Sequence, residues 1–351
     1  MHQSHLNRRQ FLAASAAATV IPSIPALSAS ASNGWRGLDD GPPVIIGEGS
    51  QRWQCQHDWL TPPSGIAFGD THGLAQDKAG RIYVAHTVGG GSTRKSGVCV
   101  YSPKGEYIAD WGENFAGGAH GLDLRQEKDG EFLYHCDTRR RCVVKTGLDG
   151  SVAWTAECPT QSEAYDAPGQ WCPTNVAFLP DGDVLVGDGY GRSFVHRYSK
   201  DGEWKSIFLK PGKDKGQVSC PHGLWVDPRG SEPRVVVADR SNRRLQVFDL
   251  DGKPVSIHTK GVRRPCDVDF RDGVMLVPDL DSVVALYDEN YEPMAMLGDG
   301  HPTNLRGKPR DAFKSGEFVH PHDAIFLQDG SILVAEWVPV GRVTRLVKTD
   351  A

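Results

Sequence analysis

The chain contains 351 residues and has a formal net charge of -5, with 39 basic and 44 acidic side chains scattered along it. The lack of a basic stripe excludes nucleic acid and an anionic membrane surface as expected partners, because both require clustered Lys and Arg. The length has room for two ordinary domains, but a repeat array that closes on itself counts as one. We therefore expect a monomeric, single-domain protein whose partner is a small molecule or a peptide.

Residues 1–31 have the pattern of a signal peptide of the Tat type. The adjacent Arg8 and Arg9 precede an Ala-rich apolar run and a small-residue cleavage pattern, as in twin-arginine export signals. The apolar run is interrupted by Pro22 and Pro25 and is shorter than the roughly 20 residues of a membrane-spanning helix. An ordinary Sec signal or an uncleaved anchor is the alternative. We expect a mature protein that is periplasmic or secreted, with no membrane attachment after the signal is removed.

A short motif recurs six times after a polar, Pro- and Gly-rich segment at 32–50 that we predict to be a linker. The motif is clearest at 221–224, and its copies are spread over residues 51–351. Successive copies start 44 to 56 residues apart, a period typical of propellers and solenoids. The anchor residues, which align with the histidine of this motif, are His72, His120, Thr174, His222, Cys266 and His322.

Each copy of the motif predicts a module of four antiparallel strands. In the fourth module, strands over 224–226, 234–238 and 244–248 are followed by a turn at 251–252 that leads into a fourth strand. Alternating aliphatic and aromatic residues, with turn signals about every 8 to 12 residues, indicate antiparallel β-structure and almost no helix. The sequence therefore predicts an all-β fold, a six-bladed β-propeller.

The two ends of the chain are predicted to meet in the sixth blade. This module ends after its third strand, at 342–347, and lacks a fourth. Residues 52–60 resemble the fourth strand of the first module, at 106–111. We expect this N-terminal strand to pair into blade six and close the ring, which leaves only short, protected sheet edges. The long connections at 157–170 and 298–319 are predicted to be rim loops.

Eight cysteines in an exported protein can form disulfides. The spacing favours one disulfide between Cys136 and Cys142 and another between Cys158 and Cys172. The remaining cysteines are Cys55, Cys99, Cys220 and Cys266. These four are equally compatible with buried free thiols, the commoner fate of a lone cysteine in a strand.

Histidine occupies four of the six anchor positions. In a propeller the first strand of each blade lies nearest the axis, so these positions line one mouth of the central channel. Because blades two, four and six alternate, His120, His222 and His322 should lie about 120° apart around the axis. Three neutral imidazoles that converge in this way provide the donor set of a catalytic zinc site with an open position. The alternative is that each histidine is a hydrogen-bonded structural residue.

Two anchor residues fall outside the alternating set. His72 is compatible with three roles: a hydrogen-bond donor to a metal ligand, a fourth ligand, or a copy of the motif histidine without a function of its own. We expect the third, an echo of the repeat. Cys266 is expected to be a core thiol rather than a ligand.

A second repeated position lies at the end of strand two of each module. Its residues are His86, Asp137, Asp188, Asp239, Asp279 and Glu336. We expect the carboxylates to accept hydrogen bonds from backbone N–H groups and so to tie blades together.

Tyr190 and Arg240 follow this position directly and should point into the channel mouth. A tyrosine beside a divalent cation can act as a base. An arginine can bind a carboxylate through two parallel hydrogen bonds. The alternative for Tyr190 is an ordinary aromatic residue at the end of a strand.

At these residues the chain resembles a known family. The motifs at 221–224, 188–190, 238–240 and 321–323 are similar, in order and spacing, to those of peptidylamidoglycolate lyase. This enzyme is the lyase half of peptide α-amidating monooxygenase, within the wider group of NHL-repeat propellers. The resemblance covers about residues 64–348.

The resemblance implies a role for each matching residue. It places zinc on His120, His222 and His322. It gives Tyr190 the role of base and makes Arg240 a substrate-binding residue. It also implies a structural calcium ion held by the backbone carbonyls of Leu74 and Leu122 and by the side chain of Asp323.

The chain departs from the family pattern at Thr87, where the family has a second arginine directly after a histidine. Arg94 or Arg139 is a candidate substitute from a nearby loop. We expect a metal-dependent lyase that cleaves the C–N bond of an α-hydroxyglycine-type amide to an amide and glyoxylate. The alternatives are a zinc-dependent hydrolase or lactonase on the same fold and a non-enzymatic NHL-repeat module that binds a peptide, a glycan or a protein.

Overall fold

The computed structural model describes residues 42–301 and 304–349. The predicted signal peptide, residues 1–31, and most of the predicted linker lie outside these residues. Within the described ranges, none of the helices combines the length and the apolar character that crossing a membrane requires.

The first three blades follow one another along the chain. Two short strands come before them, β1 (Ile45–Ile46) and β2 (Trp53–Gln56). Blade one contains β3 (Thr71–Gln76), β4 (Ile82–His86), β5 (Val98–Tyr101) and β6 (Tyr107–Trp111). Blade two contains β7 (Ala119–Glu127), β8 (Gly130–Asp137), β9 (Cys142–Thr146) and β10 (Val152–Ala156). Blade three contains β11 (Asn175–Phe178), β12 (Val184–Gly187), β13 (Val195–Tyr198), β14 (Trp204–Pro211) and β15 (Gln217–Val218).

The last three blades complete a six-bladed β-propeller, as predicted. Blade four contains β16 (Pro221–Asp227), β17 (Arg234–Asp239), β18 (Arg244–Phe248) and β19 (Pro254–His258). Blade five contains β20 (Asp269–Arg271), β21 (Val274–Asp279), β22 (Val283–Tyr287) and β23 (Pro293–Leu297). Blade six contains β24 (Pro321–Phe326), β25 (Ile332–Glu336) and β26 (Arg342–Lys348). The helices of the described chain are short 3-10 turns at Glu113–Phe115, Thr160–Ser162, Pro168–Gln170, Arg240–Asn242 and Arg310–Ala312.

Strand β17 shows how the blades pack against each other. Its side chains alternate between the two faces of blade four. Val235 and Val237 pack towards blade three, whereas Val236 and Ala238 pack towards blade five. All four side chains are fully buried. A middle strand of a blade is therefore a continuous apolar run, because both of its faces are covered.

The ring closes as predicted, through an N-terminal strand in blade six. β2 pairs antiparallel with β26, with Trp53 opposite Lys348 and Gln56 opposite Arg345. β1, which lies within the segment predicted as a linker, adds a fifth strand outside β2. The first and last described strands therefore belong to one sheet, and β26 is not left as an open edge.

The predicted disulfides are not formed, since Cys136, Cys142, Cys158 and Cys172 are all free thiols. Cys136 and Cys142 lie on neighbouring strands, but Cys142 is directly opposite Asp137, and Cys136 is opposite Val143. This one-residue offset turns the two sulfur atoms to opposite faces of blade two. Consequently, Cys136 packs towards blade three, and Cys142 packs towards blade one.

Glycine after the anchor histidine permits the close approach of neighbouring first strands. A Cβ atom on Gly121 would collide with the carbonyl oxygen of Thr174. One on Gly223 would collide with the carbonyl oxygen of Cys266. In both cases the carbonyl belongs to the anchor residue of the next blade, so the His-Gly motif sets how closely the strands around the channel pack.

The carboxylates at the ends of the second strands accept hydrogen bonds from backbone amides, as predicted. Asp188 accepts hydrogen bonds from the amides of Cys172 and Arg192, both at 2.7 Å. Asp279 accepts from the amides of Arg263 and Arg264 at 2.9 and 2.8 Å. These side chains fix the loops that surround the channel mouth.

Candidate metal centre at the channel mouth

The three histidines from alternate blades meet at the mouth of the channel. The ring centroids of His120 and His222 are 5.0 Å apart, and each lies 4.7 Å from the centroid of His322. All three side chains are buried. The repeat thus brings together three imidazoles from strands β7, β16 and β24.

The same hydrogen bond orients each of these rings. The Nδ1 atom of His120 lies 2.8 Å from the carbonyl oxygen of Thr174, and that of His222 lies 2.7 Å from the carbonyl oxygen of Cys266. The Nδ1 atom of His322 lies 3.1 Å from the carbonyl oxygen of His72. A carbonyl oxygen only accepts, so Nδ1 must carry the proton in each ring.

This hydrogen-bond pattern makes the three histidines suitable ligands for a metal ion. With the proton on Nδ1, the lone pair of each Nε2 is free to bind a cation, and the backbone carbonyl is the type of partner that commonly orients a ligating histidine. Burial lowers the pKa of His120 to about 3. Burial also holds the pKa values of His222 and His322 well below the usual range. The rings are therefore neutral at physiological pH, as metal binding requires.

Two overlapping groups have donor atoms within 4.8 Å of one another in the described chain. One group contains His72, His120 and His322, and the other contains His222, Cys266 and His322. The set of His120, His222 and His322 is not itself a group of this kind, although its rings adjoin. The structure thus adds His72 and Cys266 to the donors that the sequence singled out.

Tyr190 projects between two of the histidines. Its hydroxyl oxygen lies 3.2 Å from Nε2 of His120 and 2.9 Å from Nε2 of His222. Nη1 of Arg240 lies 3.5 Å from the same oxygen. The residue as a whole is 42% exposed, but its hydroxyl is enclosed by these groups, and desolvation raises the pKa of Tyr190 to about 12. Without a cation, the phenol is protonated.

A cavity of about 500 Å³ opens directly above Tyr190 and His322. Its lining contains three arginines, Arg240, Arg243 and Arg264, and no carboxylate. Trp337 forms part of its wall and stacks with the guanidinium of Arg306 at 3.8 Å. The charge of the lining favours an anionic ligand.

Neither arginine suggested as a substitute at the Thr87 position lines this cavity. Arg94 forms a salt bridge with Asp110 at 3.0 Å. The backbone amide of Arg139 donates a hydrogen bond to Oδ1 of Asp137. The extra positive charge at the mouth comes from Arg243 and Arg264, which the sequence analysis did not select. Their signal in the sequence was their position: Arg264 directly precedes the copy of the motif that contains Cys266, and Arg243 lies three residues after Arg240.

Buried carboxylates lie further along the channel, past the anchor residues. The amide of Leu74 donates to Oδ2 of Asp323 at 2.6 Å, while Oδ1 of Asp323 is buried without a partner. Oδ2 of Asp123 is also buried without a partner. Burial and the neighbouring Asp267 raise the pKa of Asp323 well above its usual range. These oxygens fit a hard cation such as calcium, which prefers carboxylate and carbonyl ligands. Leu122 adjoins the residue before Leu74, since a Cβ atom on Gly73 would collide with the backbone nitrogen of Leu122.

No family model matches the sequence, but two curated animal proteins are similar to it. Peptidyl-alpha-hydroxyglycine alpha-amidating lyase 1 of Drosophila melanogaster is 29% identical over 227 residues, which cover 55% of this chain and 40% of that protein. Peptidyl-glycine alpha-amidating monooxygenase of Mus musculus is 26% identical over 269 residues, which cover 72% of this chain and 26% of that protein. The chain is a distant relative of amidating lyases.

The matched regions span less than half of either relative's length. Among solved structures, a streptogramin B lyase has a TM-score of 0.56 at 12% identity, covering 86% of this chain and 100% of that one. At this identity the likeness concerns the fold. The resemblance to amidating lyases expected from the sequence motifs is confirmed.

Proposed function

We propose that this protein is an exported, metal-dependent lyase that cleaves the C–N bond of an α-hydroxyglycine-type amide. The products would be an amide and glyoxylate. The observation that carries the proposal is the set of three Nδ1-anchored imidazoles beside Tyr190 and Arg240, at the mouth of a positively charged cavity. The names of the relatives point to the same reaction.

Arg240 would bind the carboxylate of the substrate. No acidic side chain in the described chain forms an ion pair with Arg240, so its guanidinium is available for two charge-assisted hydrogen bonds. A carboxylate held there lies beside the Tyr190 hydroxyl, which Arg240 also contacts. This arrangement would orient the hydroxylated carbon of the substrate towards the histidines.

Tyr190 would move the proton. It would take the proton from the substrate hydroxyl as that oxygen forms the aldehyde C=O bond, and the electron pair of the C–N bond would leave with the nitrogen. The nitrogen then receives a proton, which completes the amide. When bound, zinc would supply a Lewis acid that stabilises negative charge on oxygen and lowers the pKa of nearby acids.

We propose zinc for the nitrogen-rich site, because imidazole donors suit zinc. We propose calcium for the carboxylates around Asp323, whose unpaired buried oxygen needs a cation or a proton. Export by the Tat route would allow the protein to fold and bind metal before it crosses the membrane.

Replacing Tyr190 tests the reaction. The Tyr190→Phe variant keeps the ring but lacks the hydroxyl, so we expect glyoxylate release from a peptidyl-α-hydroxyglycine to fall by about 10²- to 10⁴-fold. The Tyr107→Phe variant is the matched control, because Tyr107 lies exposed on the outer strand β6. A panel of lactones should not be hydrolysed. Unchanged turnover in Tyr190→Phe, or lactone hydrolysis without glyoxylate release, would refute the proposed function.

A further inference from the structure

His72 differs from the other anchor histidines in the direction of its ring. Its carbonyl oxygen accepts the Nδ1 proton of His322, so its backbone fits the repeat. In the repeat pattern, the Nδ1 of His72 would donate to the carbonyl of His120 in the next blade. Instead, Nδ1 of His72 lies 3.3 Å from Nε2 of His322. A histidine that only echoed the repeat would have kept the shared hydrogen bond.

The contact with His322 places two ring nitrogens face to face. Nε2 of His322 carries a lone pair, because the proton of that ring is on Nδ1. Either His72 donates a proton to this lone pair, or both nitrogens present lone pairs to a shared cation. The His72 ring also lies 4.6 Å from the ring of His120 and is buried. The donor atoms of these three histidines all lie within 4.8 Å of one another.

We propose that His72 is a protein ligand of the metal, binding through Nδ1, so that four histidines rather than three hold the ion. This inference rests on the metal centre of the proposed function and adds to its ligand set. His72, His120 and His322 form one side of the site. Tyr190 contacts both His120 and His222, and the arginine-lined cavity reaches Tyr190 and His322 but is not lined by His72. Substrate entering through this cavity would therefore not displace His72.

Cys266 is the competing donor. Its sulfur lies in the second group, with His222 and His322. The sulfur also lies 3.8 Å from Nη1 of Arg240 and 3.7 Å from the carbonyl oxygen of Arg264. These contacts turn the thiol towards groups that are not metal ligands, whereas Nδ1 of His72 lies against Nε2 of His322, a proposed ligand. We therefore assign the fourth ligand to His72 and not to Cys266.

X-ray absorption on the zinc-loaded protein tests the ligand set directly. Four imidazoles should give a nitrogen shell at about 2.0–2.1 Å, with no sulfur shell at about 2.3 Å. In the His72→Ala variant the shell should lose one imidazole, and zinc affinity measured by chelator competition should fall by more than the roughly 10- to 100-fold cost of an outer hydrogen-bond partner. The His258→Ala variant is the control, since His258 lies on the outer strand β19.

Each other outcome overturns the assignment. Three imidazoles in the unaltered protein, with unchanged zinc affinity in His72→Ala, would make His72 an echo of the repeat. A sulfur shell that disappears in Cys266→Ser would move the metal to the second donor group. The unaltered protein is measured first, so the result does not depend on the folding of a variant. Glyoxylate release is assayed on the same samples, so that the two proposals can fail separately. A four-histidine site without lyase activity would overturn only the proposed function. Lyase activity with three histidines would overturn only the assignment of His72.

Discussion

At the scale of single residues, the site is built from side chains whose orientation depends on the next blade. His120, His222 and His322 each donate a hydrogen bond from Nδ1–H to a backbone carbonyl oxygen of a neighbouring blade. Arg240 instead contacts the side chains of Tyr190 and Cys266, and no carboxylate of the described chain forms an ion pair with it. The histidines are therefore positioned before any ligand binds, and the arginine is free to respond to one.

Substitution of Arg240 should separate binding of the carboxylate from the rest of the reaction. For Arg240→Gln we expect kcat/KM with a peptidyl-α-hydroxyglycine to fall by about 10- to 150-fold, the cost of losing a charge-assisted hydrogen bond of roughly 1.5 to 3 kcal/mol. Steady-state kinetics with an N-(1-hydroxyalkyl) amide that lacks the carboxylate should show little change. Arg234→Gln is the control, because Arg234 is the first residue of β17 and Arg240 follows the last residue of the same strand. Equal losses with both substrates would rule out a carboxylate clamp.

The sequence singled out Tyr190 and Arg240, but it did not predict the direction of the His72 ring or the position of Cys266 beside two histidines. The first two lie directly after strand ends, where the repeat and the family motifs both place them at the mouth. The direction of the His72 ring depends on a side-chain torsion, which no sequence pattern specifies. The position of Cys266 beside two histidines likewise depends on the distance across the channel, and this distance is a property of the assembled ring.

At the scale of secondary-structure elements, strand β2 connects the two ends of the propeller. Trp53 and Cys55 point into the core between blades five and six, where they pack with Leu297, Phe318 and Leu346. The opposite strand, β26, would otherwise expose a row of unpaired backbone groups. The resemblance of residues 52–60 to another outer strand was enough to predict this pairing. The register, with Trp53 opposite Lys348, required the structure.

Truncation of Trp53 should weaken this closure. Trp53 is 3% exposed, so we expect Trp53→Ala to lower the free energy of unfolding by about 3 to 5 kcal/mol, as for other buried aromatic truncations. Urea denaturation would measure the change. Val152→Ala, on the exposed face of β10, should change stability by less than about 0.5 kcal/mol. A similar small effect for Trp53→Ala would show that the closing strand contributes little to stability.

At the scale of the whole molecule, buried histidines make stability depend on pH. Burial lowers the pKa of His135 to about 3, from 6.5, and it lowers those of His86 and His196 to about 4. These residues lie in the blades, away from the proposed metal ligands. As the pH falls below about 6.5, the unfolded chain binds protons that the folded chain does not bind, so the folded state loses stability. Buried carboxylates such as Asp269, with its pKa raised to about 6 by burial, act in the opposite direction.

A comparison of variants isolates one of these groups. Between pH 6.5 and pH 5, His135 alone should lower the free energy of unfolding by roughly 1.6 kcal/mol, with a slope that approaches about 1.4 kcal/mol per pH unit once the unfolded histidine is fully protonated. The His135→Gln variant lacks this titration, so its urea-unfolding free energy should decrease less than that of the unaltered protein over the same range. His258→Gln, on a partly exposed outer strand, is the control. Parallel pH profiles for His135→Gln and the unaltered protein would contradict the prediction.

The sequence by itself determined the fold and the place of the site. Six copies of one motif specify six blades, and because the first strand of a blade lies nearest the axis, the same copies place histidines around one channel. The period, the alternation of apolar residues and the order of the motifs are local properties of the chain. The resemblance to amidating lyases follows from that order, and the relatives of the chain agree with it.

Only the tertiary structure decided which donor atoms meet and which cysteines stay apart. The one-residue offset between β8 and β9 keeps Cys136 and Cys142 on opposite faces, although they are close in sequence. Conversely, His72 and His322 come into contact although 250 residues separate them. Both results depend on register and on closure of the ring, because these fix distances between groups that no local pattern relates.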